Sequence, residues 1–517
     1  MITDTPTESL VRPLDDHNLR LLSEVHPPGW TNPEPASRYD LVVVGGGSGG
    51  LVSSAIGAAV GGRVALVERG LLGGDCLNSG CVPSKAVLRS ASAWAGARRA
   101  REAFHGPEAS GDGDFAAVME RMRRIRADIS PADSAARFTE LGSDVFLGSG
   151  RFTGPDRLEV EGDDGSTRTL EFRRAIIATG GRPFLPPVPG LDTTPDVLTS
   201  ESIFWLESRP ETLLVLGAGA IGCELAQAFA RLGSRVVLLE AGDRIMGRDD
   251  PDAAPLVQAS LEVDGVEVRT GAAVAGVESR DSDGSGVRAT VGSGEALEAD
   301  ALLVAAGRVP NTEGLGLEAA GVEADRSGVK VDDRLRTTNR RIWAVGDVVP
   351  GPRFTHAADA EARIAVPNAL FFGRGRRSKL VIPRCTYTDP EVAHVGIEPH
   401  EVAARGEDVR TLTLSFEDVD RAITEGAVEG FARVHLKAGT DTILGATIVG
   451  AGAGDLIAPL SVAMNEGMGL SAFGNAVYPY PTRAEVLRKL ADLKRRDALT
   501  PRTRGIMARV LGFLRRF

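Results

Sequence analysis

Gly73-Gly-Asp-Cys-Leu-Asn-Ser-Gly-Cys-Val-Pro-Ser-Lys85 is the stretch from which the fold and chemistry of this chain are best inferred. It places Cys76 and Cys81 five positions apart. A loop this short lets two sulfurs close into a disulfide ring and reopen without a large entropic cost. Pro83 favours a helix start that carries Lys85, and both the helix N-terminus and the cation favour a thiolate. The stretch therefore predicts a redox-active cysteine pair.

Two structural interpretations of the cysteine pair compete with the redox one. A purely structural disulfide is disfavoured because the chain has only four cysteines, which is typical of a reducing compartment. Half of a zinc site is disfavoured because no second Cys/His pair accompanies the two cysteines. We therefore expect a redox pair and no metal site.

Length and composition indicate a soluble, multidomain globular protein. A chain of 517 residues exceeds one ordinary core and predicts about three domains. The net charge of −11 disfavours a general nucleic-acid role. The first forty residues lack a basic start followed by an apolar run, and no run of about eighteen apolar residues occurs. We expect neither a signal peptide nor a membrane span, and a cytoplasmic location.

A glycine-rich turn follows the first predicted strand, Tyr39 to Gly45, and leads into an Ala-rich helix. Gly45, Gly47 and Gly50 allow the tight turn, the approach of a pyrophosphate and the packing of the helix. The next predicted strand ends in Glu68, about twenty residues on, where a carboxylate accepts hydrogen bonds from a ribose. This pattern predicts a dinucleotide site.

The same device recurs after the strand Leu213 to Leu216. Gly217, Gly219 and Gly222 form the second turn, and the following strand ends in Glu240. One site should hold a flavin, which exchanges electrons with a dithiol, and the other a nicotinamide nucleotide. Glu240 favours NADH because a carboxylate binds the ribose hydroxyls and repels a 2′-phosphate. NADPH stays possible because two arginines follow closely.

The redox stretch and the repeated glycine turn resemble the class I pyridine nucleotide-disulfide oxidoreductases, over roughly residues 38 to 490. The resemblance implies an α/β fold with two Rossmann-like dinucleotide-binding domains, for FAD and NAD(P), and a C-terminal α+β dimerisation domain. The predicted segments are an N-terminal extension (1–37), a first flavin segment (38–182), a nicotinamide domain (183–308), a second flavin segment (309–382), an interface domain (383–490) and a basic tail (491–517).

The resemblance also implies roles for individual residues. FAD would bind the first site, with Cys81 as the thiolate that faces the flavin and Cys76 as the interchange thiol. Glu224 matches the position whose carboxylate pairs with the lysine, here Lys85, beside the flavin ring. Thr355 stands where an alanine is common. Further cofactor contacts are implied at Gly150, Thr179, Gly307, Asp347 and Thr355.

The chain departs from most of the family at Tyr478-Pro-Tyr-Pro-Thr-Arg-Ala-Glu485, which replaces His-x-His-Pro-Thr-x-x-Glu. Tyr480 takes the place of the acid/base histidine that the glutamate, here Glu485, would orient. A phenol with a pKa of about 10 cannot cycle a proton near neutrality as an imidazole of about 6.5 does. Thiol substrates need such a base, so dihydrolipoyl dehydrogenase and glutathione reductase activities are disfavoured.

Mercuric reductases, by resemblance, also carry a tyrosine near this place, because metal-ion transfer replaces thiol proton transfer. Their C-terminal cysteine pair has no counterpart here, since no cysteine follows Glu485, and we expect no fused metal-binding domain at the N-terminus. The favoured interpretation is a mercuric-reductase-like enzyme that passes hydride from NADH through FAD to the cysteine pair.

Three alternatives stay open. They are a dihydrolipoyl dehydrogenase or other low-molecular-weight disulfide reductase, a quinone or oxygen diaphorase, and a non-enzymatic FAD-binding adaptor. The expected partners are a second copy of the chain, bound through the C-terminal domain, and a small-molecule or metal-ion electron acceptor.

The C-terminal tail combines apolar residues at helical spacing with an excess of basic residues. Between Lys489 and Phe517 the chain carries nine basic and two acidic residues, nine minus two or +7. Such a helix either docks on its own dimer, which is the favoured interpretation, or contacts an anionic membrane surface. The apolar positions are Ile506, Met507, Val510, Leu511, Phe513, Leu514 and Phe517.

Overall fold

A computed structural model of the chain describes residues 10–109, 111, 113–163, 165–292, 294–398, 400–401, 404, 409–497 and 499–517. The chain forms two compact units. The first comprises Met1–Ile245 and Asp264–Leu380, and the second comprises Met246–Val263 and Val381–Phe517. The finer domain boundaries predicted above stay predictions.

The first unit contains nineteen described strands in several sheets. They are β1 (Tyr39–Val44), β2 (Val64–Glu68), β3 (Ser143–Leu147), β4 (Ser149–Gly154), β5 (Arg157–Glu161), β6 (Thr167–Ile177), β7 (Gly181–Pro183), β8 (Val197–Leu198), β9 (Thr212–Leu216), β10 (Arg235–Leu239), β11 (Val266–Arg269), β12 (Val274–Ser279), β13 (Val287–Val291), β14 (Glu295–Ala299), β15 (Ala301–Val304), β16 (Arg308–Pro310), β17 (Ala324–Asp325), β18 (Gly328–Val329) and β19 (Ile342–Ala344).

The described helices are α1 (Asp16–Val25), α2 (Ser48–Ala59), α3 (Gly74–Asn78), α4 (Cys81–Phe104), α5 (Phe115–Ile129), α6 (Ala135–Glu140), α7 (Ala220–Arg231), α8 (Ala253–Val263), α9 (Leu317–Ala320), α10 (Thr355–Leu370), α11 (Asp420–Glu425), α12 (Ala453–Asn465), α13 (Ser471–Asn475), α14 (Glu485–Asp497) and α15 (Pro501–Leu514). Of these, α8 and α11 to α15 belong to the second unit.

The first dinucleotide-binding fold is built on a seven-stranded sheet with the order β3-β2-β1-β6-β5-β4, and β19 also pairs with β6. Strand β1 lies between β2 and β6 in parallel register, with Val42 opposite Ala65 and Ala175. The eleven residues of β6 pair with three neighbours, since residues 167–171 pair antiparallel with β5, residues from 172 pair in parallel with β1, and residues 175–177 also pair in parallel with β19. One long strand therefore joins the parallel and the antiparallel parts of the sheet.

The second dinucleotide-binding fold is a five-stranded sheet with the order β11-β10-β9-β15-β8. Strand β9 pairs in parallel with β10 and β15, and α7 follows it. A separate antiparallel sheet, β12-β13-β14, lies between β11 and β15 in the chain and was not predicted. The predicted α/β class with two Rossmann-like folds is confirmed.

The N-terminal extension forms helix α1, which packs into the core of the first dinucleotide-binding fold. Asp15 caps it by accepting a hydrogen bond from the Asn18 amide at 2.8 Å. Leu21, Leu22 and Val25 are buried in the cluster that also contains residues of β1 and β2. Burial of this helical face gives the extension a structural role that its sequence did not reveal.

The second unit is an antiparallel sheet with the order β20-β21-β24-β23-β22, packed against helices that include α12 and α14. The strands are β20 (Arg384–Thr386), β21 (Glu391–Gly396), β22 (Val409–Ser415), β23 (Phe431–Lys437) and β24 (Ile443–Gly450). Arg433 of β23 donates two hydrogen bonds to Asp250 and one to Asp252, which ties residues 246–263 to this sheet. The predicted α+β C-terminal domain is confirmed.

Helix α15 has no buried residue. Across the part of the chain that the structure describes, no helix has the length and apolar character needed to span a membrane.

Candidate active site

The redox segment folds into two helices that present the cysteines to each other. Cys76 lies in α3, and Cys81 is the first residue of α4, with Gly80 as its N-cap. The helix therefore begins two residues before Pro83, the position that the sequence favoured. Gly73 ahead of α3 has φ +88°, a left-handed conformation that favours glycine. Both cysteines are free, and each shifts the pKa of the other.

The surroundings of the two sulfurs make Cys81 the thiolate. The hydrogen bond from Cys76 is the largest cause that lowers the pKa of Cys81, to about 6, and Thr355 and the charge of Lys85 act in the same direction against burial. The pKa of Cys76 is raised, chiefly because its proton is held in the hydrogen bond to Cys81. The Cys81 Sγ lies 3.5 Å from the Thr355 Oγ1. This polarity supports the predicted division of roles between the sulfurs.

The predicted pair of Lys85 and Glu224 is brought together. The Lys85 Nζ donates a hydrogen bond to the Glu224 Oε2 at 2.8 Å, joining α4 to α7. Only 6% of the Glu224 side chain is exposed, so the carboxylate is held away from bulk water with the lysine as its counterion. The pair places a fixed cation within electrostatic reach of the Cys81 sulfur.

The first glycine turn leaves room for a ligand at one position only. Gly45 has φ +106°, and a Cβ there would lie 2.3 Å from the Ala178 carbonyl oxygen. A Cβ on Gly50 would lie 1.7 Å from the Gly45 carbonyl oxygen. A Cβ on Gly47 would meet no atom closer than the Gly74 Cα at 3.7 Å. Contacts with neighbouring backbone atoms explain why positions 45 and 50 are glycine. The open space at Gly47 fits a bound pyrophosphate.

The second glycine turn repeats this arrangement. Gly217 has φ +101°, and a Cβ on Gly222 would lie 1.9 Å from the Gly217 carbonyl oxygen. A Cβ on Gly219 would meet no described atom within 4 Å. The residues present therefore fit a dinucleotide at both turns.

Each turn is closed by the acid that ends the following strand. Glu68 accepts hydrogen bonds from the Gly46 amide at 2.5 Å and the Gly70 amide at 2.6 Å, and burial raises its pKa. Glu240 accepts from the Ala218 and Gly242 amides, both at 2.8 Å. Both carboxylates thus stand beside the turns at the predicted place for a ribose.

Asp347 lies in a 3₁₀ turn after β19, where burial raises its pKa. Its carboxylate accepts a hydrogen bond from the Arg308 Nε at 3.3 Å, and the same guanidinium pairs with Asp75, the residue before Cys76. Neither Arg308 nor Asp75 was predicted from the sequence. Arg308 directly follows Gly307, and Asp75 directly precedes Cys76, and these positions beside predicted site residues were the only sequence signal for them.

The other predicted cofactor residues occupy the first unit. The Thr179 hydroxyl donates to the Asn311 carbonyl oxygen at 2.8 Å. Gly307 has φ +123°, and a Cβ there would meet no described atom within 4 Å, whereas a Cβ on Gly150 in β4 would lie 3.2 Å from Val67. Their cofactor contacts stay predictions.

Tyr480 and Glu485 lie in the second unit and line one cavity of about 370 Å³. The Tyr480 hydroxyl donates a hydrogen bond to the Asp420 Oδ2 at 2.8 Å, and this bond raises the pKa of the phenol. Glu485 is buried and pairs with Arg488 through Oε1, while its Oε2 has no hydrogen-bond partner among the described residues. The hydroxyl at position 480 is therefore held by Asp420 and not by Glu485. The cavity is lined by Ala476, Val477, Tyr478, Pro479, Tyr480, Glu485 and Arg488.

Metal-ligating side chains do not gather in the described residues, where no group of three or more His, Cys, Asp and Glu could hold a metal ion.

Comparisons with known proteins give consistent matches over most of the chain. Residues 39–362 match the family described as pyridine nucleotide-disulphide oxidoreductase, and residues 382–491 match its dimerisation domain. A mercuric reductase from Streptomyces lividans is 36% identical over 459 residues, 88% of this chain and 96% of that protein. A dihydrolipoyl dehydrogenase from Thermus scotoductus is 36% identical over 472 residues, 89% of this chain and 98% of that protein.

A solved structure of similar fold is the Cu(II) complex of the HOCl-induced flavoprotein disulfide reductase RclA from Escherichia coli. It has a TM-score of 0.78 and 27% identity, and the match covers 89% of this chain and all of that chain.

Proposed function

The chain belongs to the pyridine nucleotide-disulphide oxidoreductase family, and from this membership we propose that its electron acceptor is a thiol-bound soft metal ion such as Hg(II). Family membership makes it a flavin-dependent disulfide oxidoreductase that uses FAD and NAD(P)H. Mercuric reductases are among its relatives at about 35% identity. The identity of the acceptor is the part that we propose.

The observation that carries the proposal is the environment of Tyr480. Its hydroxyl is bound to Asp420, and a phenol with a raised pKa does not exchange a proton near neutral pH. Disulfide and dithiol substrates require such an exchange when a thiol attacks or leaves. A metal ion that moves between thiolates does not need a proton at this position.

In the proposed reaction, NADH and Hg(II) give NAD⁺, a proton and Hg(0), so two electrons leave the nicotinamide and two reach the metal. FAD, when bound, supplies the step that links hydride chemistry to the cysteine pair. Cys81 is the sulfur held as a thiolate, and Cys76 is the sulfur that retains a proton until the metal ion replaces it. The pair of Lys85 and Glu224 holds a compensated cation near the Cys81 sulfur.

Three finer proposals accompany the metal-ion assignment. NADH is the preferred nucleotide, supported by the carboxylate of Glu240 beside the second turn. The enzyme is a homodimer, supported by the dimerisation domain at residues 382–491. Its location is cytoplasmic, supported by the reducing conditions that a reversible cysteine pair and a supply of NADH require.

The test is NADH oxidation by the purified FAD enzyme with Hg(II) supplied as a thiol complex, Cu(II), lipoamide, glutathione disulfide and a quinone, side by side. We expect turnover with Hg(II) to exceed that with lipoamide and glutathione disulfide at least a hundredfold. Cys76→Ser should abolish it, while a diaphorase reaction with quinone should survive. Faster turnover of lipoamide than of Hg(II) would overturn the metal-ion proposal. Quinone turnover that exceeds Hg(II) turnover in the wild type would also overturn it and would favour a diaphorase.

Variants of Tyr480 distinguish two reasons for slow lipoamide turnover, the lack of a base at this position and the steric exclusion of large substrates. Tyr480→His should raise lipoamide turnover if a missing base limits it, and Tyr480→Phe serves as the matched control without a proton. Equal lipoamide turnover in both variants would mean that proton transfer at this position does not decide the acceptor.

A further inference from the structure

The C-terminal helix α15 presents its whole circumference to solvent. Every residue from Arg504 to Phe517 is exposed, and no residue of the helix is buried. Seven large apolar side chains, here called the tail apolar face, are each more than half exposed. They are Ile506, Met507, Val510, Leu511, Phe513, Leu514 and Phe517.

The tail apolar face occupies one continuous side of the helix. At 3.6 residues per turn the six members from Ile506 to Leu514 fall within an arc of about 160°, Phe517 follows the last turn, and the residues opposite are small. Arg502, Arg509 and Arg516 border one edge of this arc, and Arg504 and Arg515 border the other. Long basic side chains at both edges of an apolar face keep their charges in water or at lipid headgroups while their stems cover apolar surface. The residues opposite the face are Pro501, Gly505, Ala508 and Gly512.

This helix needs a surface to remain folded. It has fourteen residues, and helices of that length are marginal alone in water. Gly505 and Gly512 lower its intrinsic stability further. A helix of this composition is stabilised by burial of its apolar face, and its own chain does not bury that face within the described residues.

The charge of the segment selects an anionic surface. From Leu499 to Phe517 the chain carries five arginines and no acidic residue. Among the described residues, no ion pair engages these arginines, whereas Lys489 and Lys494 of the preceding helix pair with Asp420 and Asp441. Lys489 and Lys494 are therefore paired within the second unit, whereas the five arginines after Leu499 have no ion pair among the described residues and remain available to an anionic surface.

From these observations we propose that α15 binds the surface of an anionic lipid bilayer, lying parallel to it with the tail apolar face in the headgroup region. A lipid surface offers both features that the helix requires, an apolar interior and a layer of negative charge. The helix is too short and too charged at its edges to cross the bilayer.

The experiment uses the full-length FAD enzyme and vesicles of phosphatidylcholine, with or without phosphatidylglycerol, sedimented at low and at high salt. We expect cosedimentation with the anionic vesicles at low salt, and at least tenfold weaker binding to phosphatidylcholine alone. V510E/L514E should lose binding at least tenfold more than A508E/G512E. The second variant carries the same change of charge on the opposite side of the helix, so the difference measures insertion of the apolar face.

The remaining outcomes decide against the proposal. Absence of cosedimentation of the wild type at low salt would overturn it, as would equal loss in the two double variants. The competing occupant is a second copy of the chain. If the wild type does not cosediment with vesicles, and V510E/L514E changes the sedimentation coefficient of the protein without vesicles, then α15 is a contact between copies.

Discussion

The Cys81 sulfur is stabilised as a thiolate by neighbours that come from distant parts of the chain. Cys76 and Thr355 donate hydrogen bonds to it, and Lys85 adds a positive charge, while burial and Glu224 act the other way. Because a thiolate is the reactive form of a cysteine, these neighbours set the pH range in which the pair can work. The reduced enzyme should therefore be active from slightly acidic pH upward.

Replacement of Thr355 by alanine should raise the pKa of Cys81. The reason is that a hydroxyl 3.5 Å from the sulfur favours the charged form, and its loss removes that preference. In the two-electron-reduced FAD enzyme, the long-wavelength charge-transfer absorbance from thiolate to flavin appears as pH rises through this pKa. We expect its midpoint to move up from about 6 by roughly half to one pH unit.

Two further variants check that assignment. Thr355→Ser keeps the hydroxyl and should leave the midpoint near its wild-type value. Glu224→Gln removes a negative charge that raises the pKa of Cys81, so its midpoint should move down. A midpoint that Thr355→Ala leaves unchanged would contradict the proposed role of the hydroxyl. An upward shift of equal size in Thr355→Ser would contradict it as well.

Sequence patterns predicted the candidate site residues better than they predicted the neighbours of those residues. The cysteine spacing predicted a redox pair, and the resemblance predicted the contact of Lys85 with Glu224 that the structure contains. The contact of Thr355 with Cys81 joins residues 274 positions apart, and no local pattern reports such a contact. The same limit applies to Arg308, whose guanidinium reaches Asp75 and Asp347 only after the sheets assemble.

At the scale of secondary-structure elements, the strand, glycine turn and helix units were predictable because each has a local physical cause. The third glycine of each turn is required by a carbonyl oxygen less than 2 Å from a Cβ at that position. The sheet β12-β13-β14 was missed although Val287, Ala289 and Val291 of β13 alternate as buried residues, because strands of five or six residues give only a weak pattern. The role of α1 was missed because its burial depends on a core formed by later segments.

The second turn tests nucleotide choice. Glu240→Gln keeps one oxygen that can accept one of the two amide hydrogen bonds, and it removes the charge that repels a 2′-phosphate. We expect wild-type kcat/KM to favour NADH, and the variant to narrow the ratio of NADH to NADPH about tenfold, mainly through NADPH. The corresponding change at the flavin turn, Glu68→Gln, should leave the ratio unaltered in the FAD-loaded fraction. A wild-type preference for NADPH would contradict the proposal.

The N-terminal helix tests how the redox segment is supported. Buried Arg126 of α5 donates hydrogen bonds to the Asn18 Oδ1 of α1 and, at 2.7 Å, to the Asn78 carbonyl oxygen beside the cysteines. Asn18→Ala leaves part of a buried guanidinium unpaired, at a cost of about 2 to 3 kcal/mol. We expect the temperature of FAD release, followed by flavin fluorescence, to fall by several degrees.

The control for this prediction lies on the same helix. Arg20→Ala removes an exposed ion pair with Asp128, which contributes about 0 to 1 kcal/mol. Its release temperature should stay close to that of the wild type. Equal temperatures for Asn18→Ala and Arg20→Ala would mean that the buried contact does not support the redox segment.

On the scale of the whole molecule, the family's architecture was predictable and the surfaces were not. The two repeated glycine turns predicted the two Rossmann-like folds, because a turn of this kind has a fixed local geometry. Surfaces depend on which side chains remain exposed after folding, and those follow from the packed structure. The spacing of apolar and basic residues predicted that the C-terminal tail docks on a surface, but only the packed structure shows that no residue of α15 is buried and that Val477 and Tyr480 are exposed.

A substitution at Val477 can test the proposed homodimer. The Val477 side chain is 96% exposed in the single chain, and it lies within the segment that matches the dimerisation domain. It lines the same cavity as Tyr480, and an apolar side chain so placed is expected to be buried by a partner. Val477→Glu would bury a charge there and should raise the dimer Kd at least a hundredfold, or about 2.7 kcal/mol.

Val263→Glu on α8 is the matched control, since Val263 is 75% exposed and lies outside the matched segment. Sedimentation equilibrium over a range of concentrations, with FAD content as the check on folding, should show dissociation only for Val477→Glu. A monomeric wild type would contradict the homodimer, and two equally dimeric variants would place its interface away from Val477.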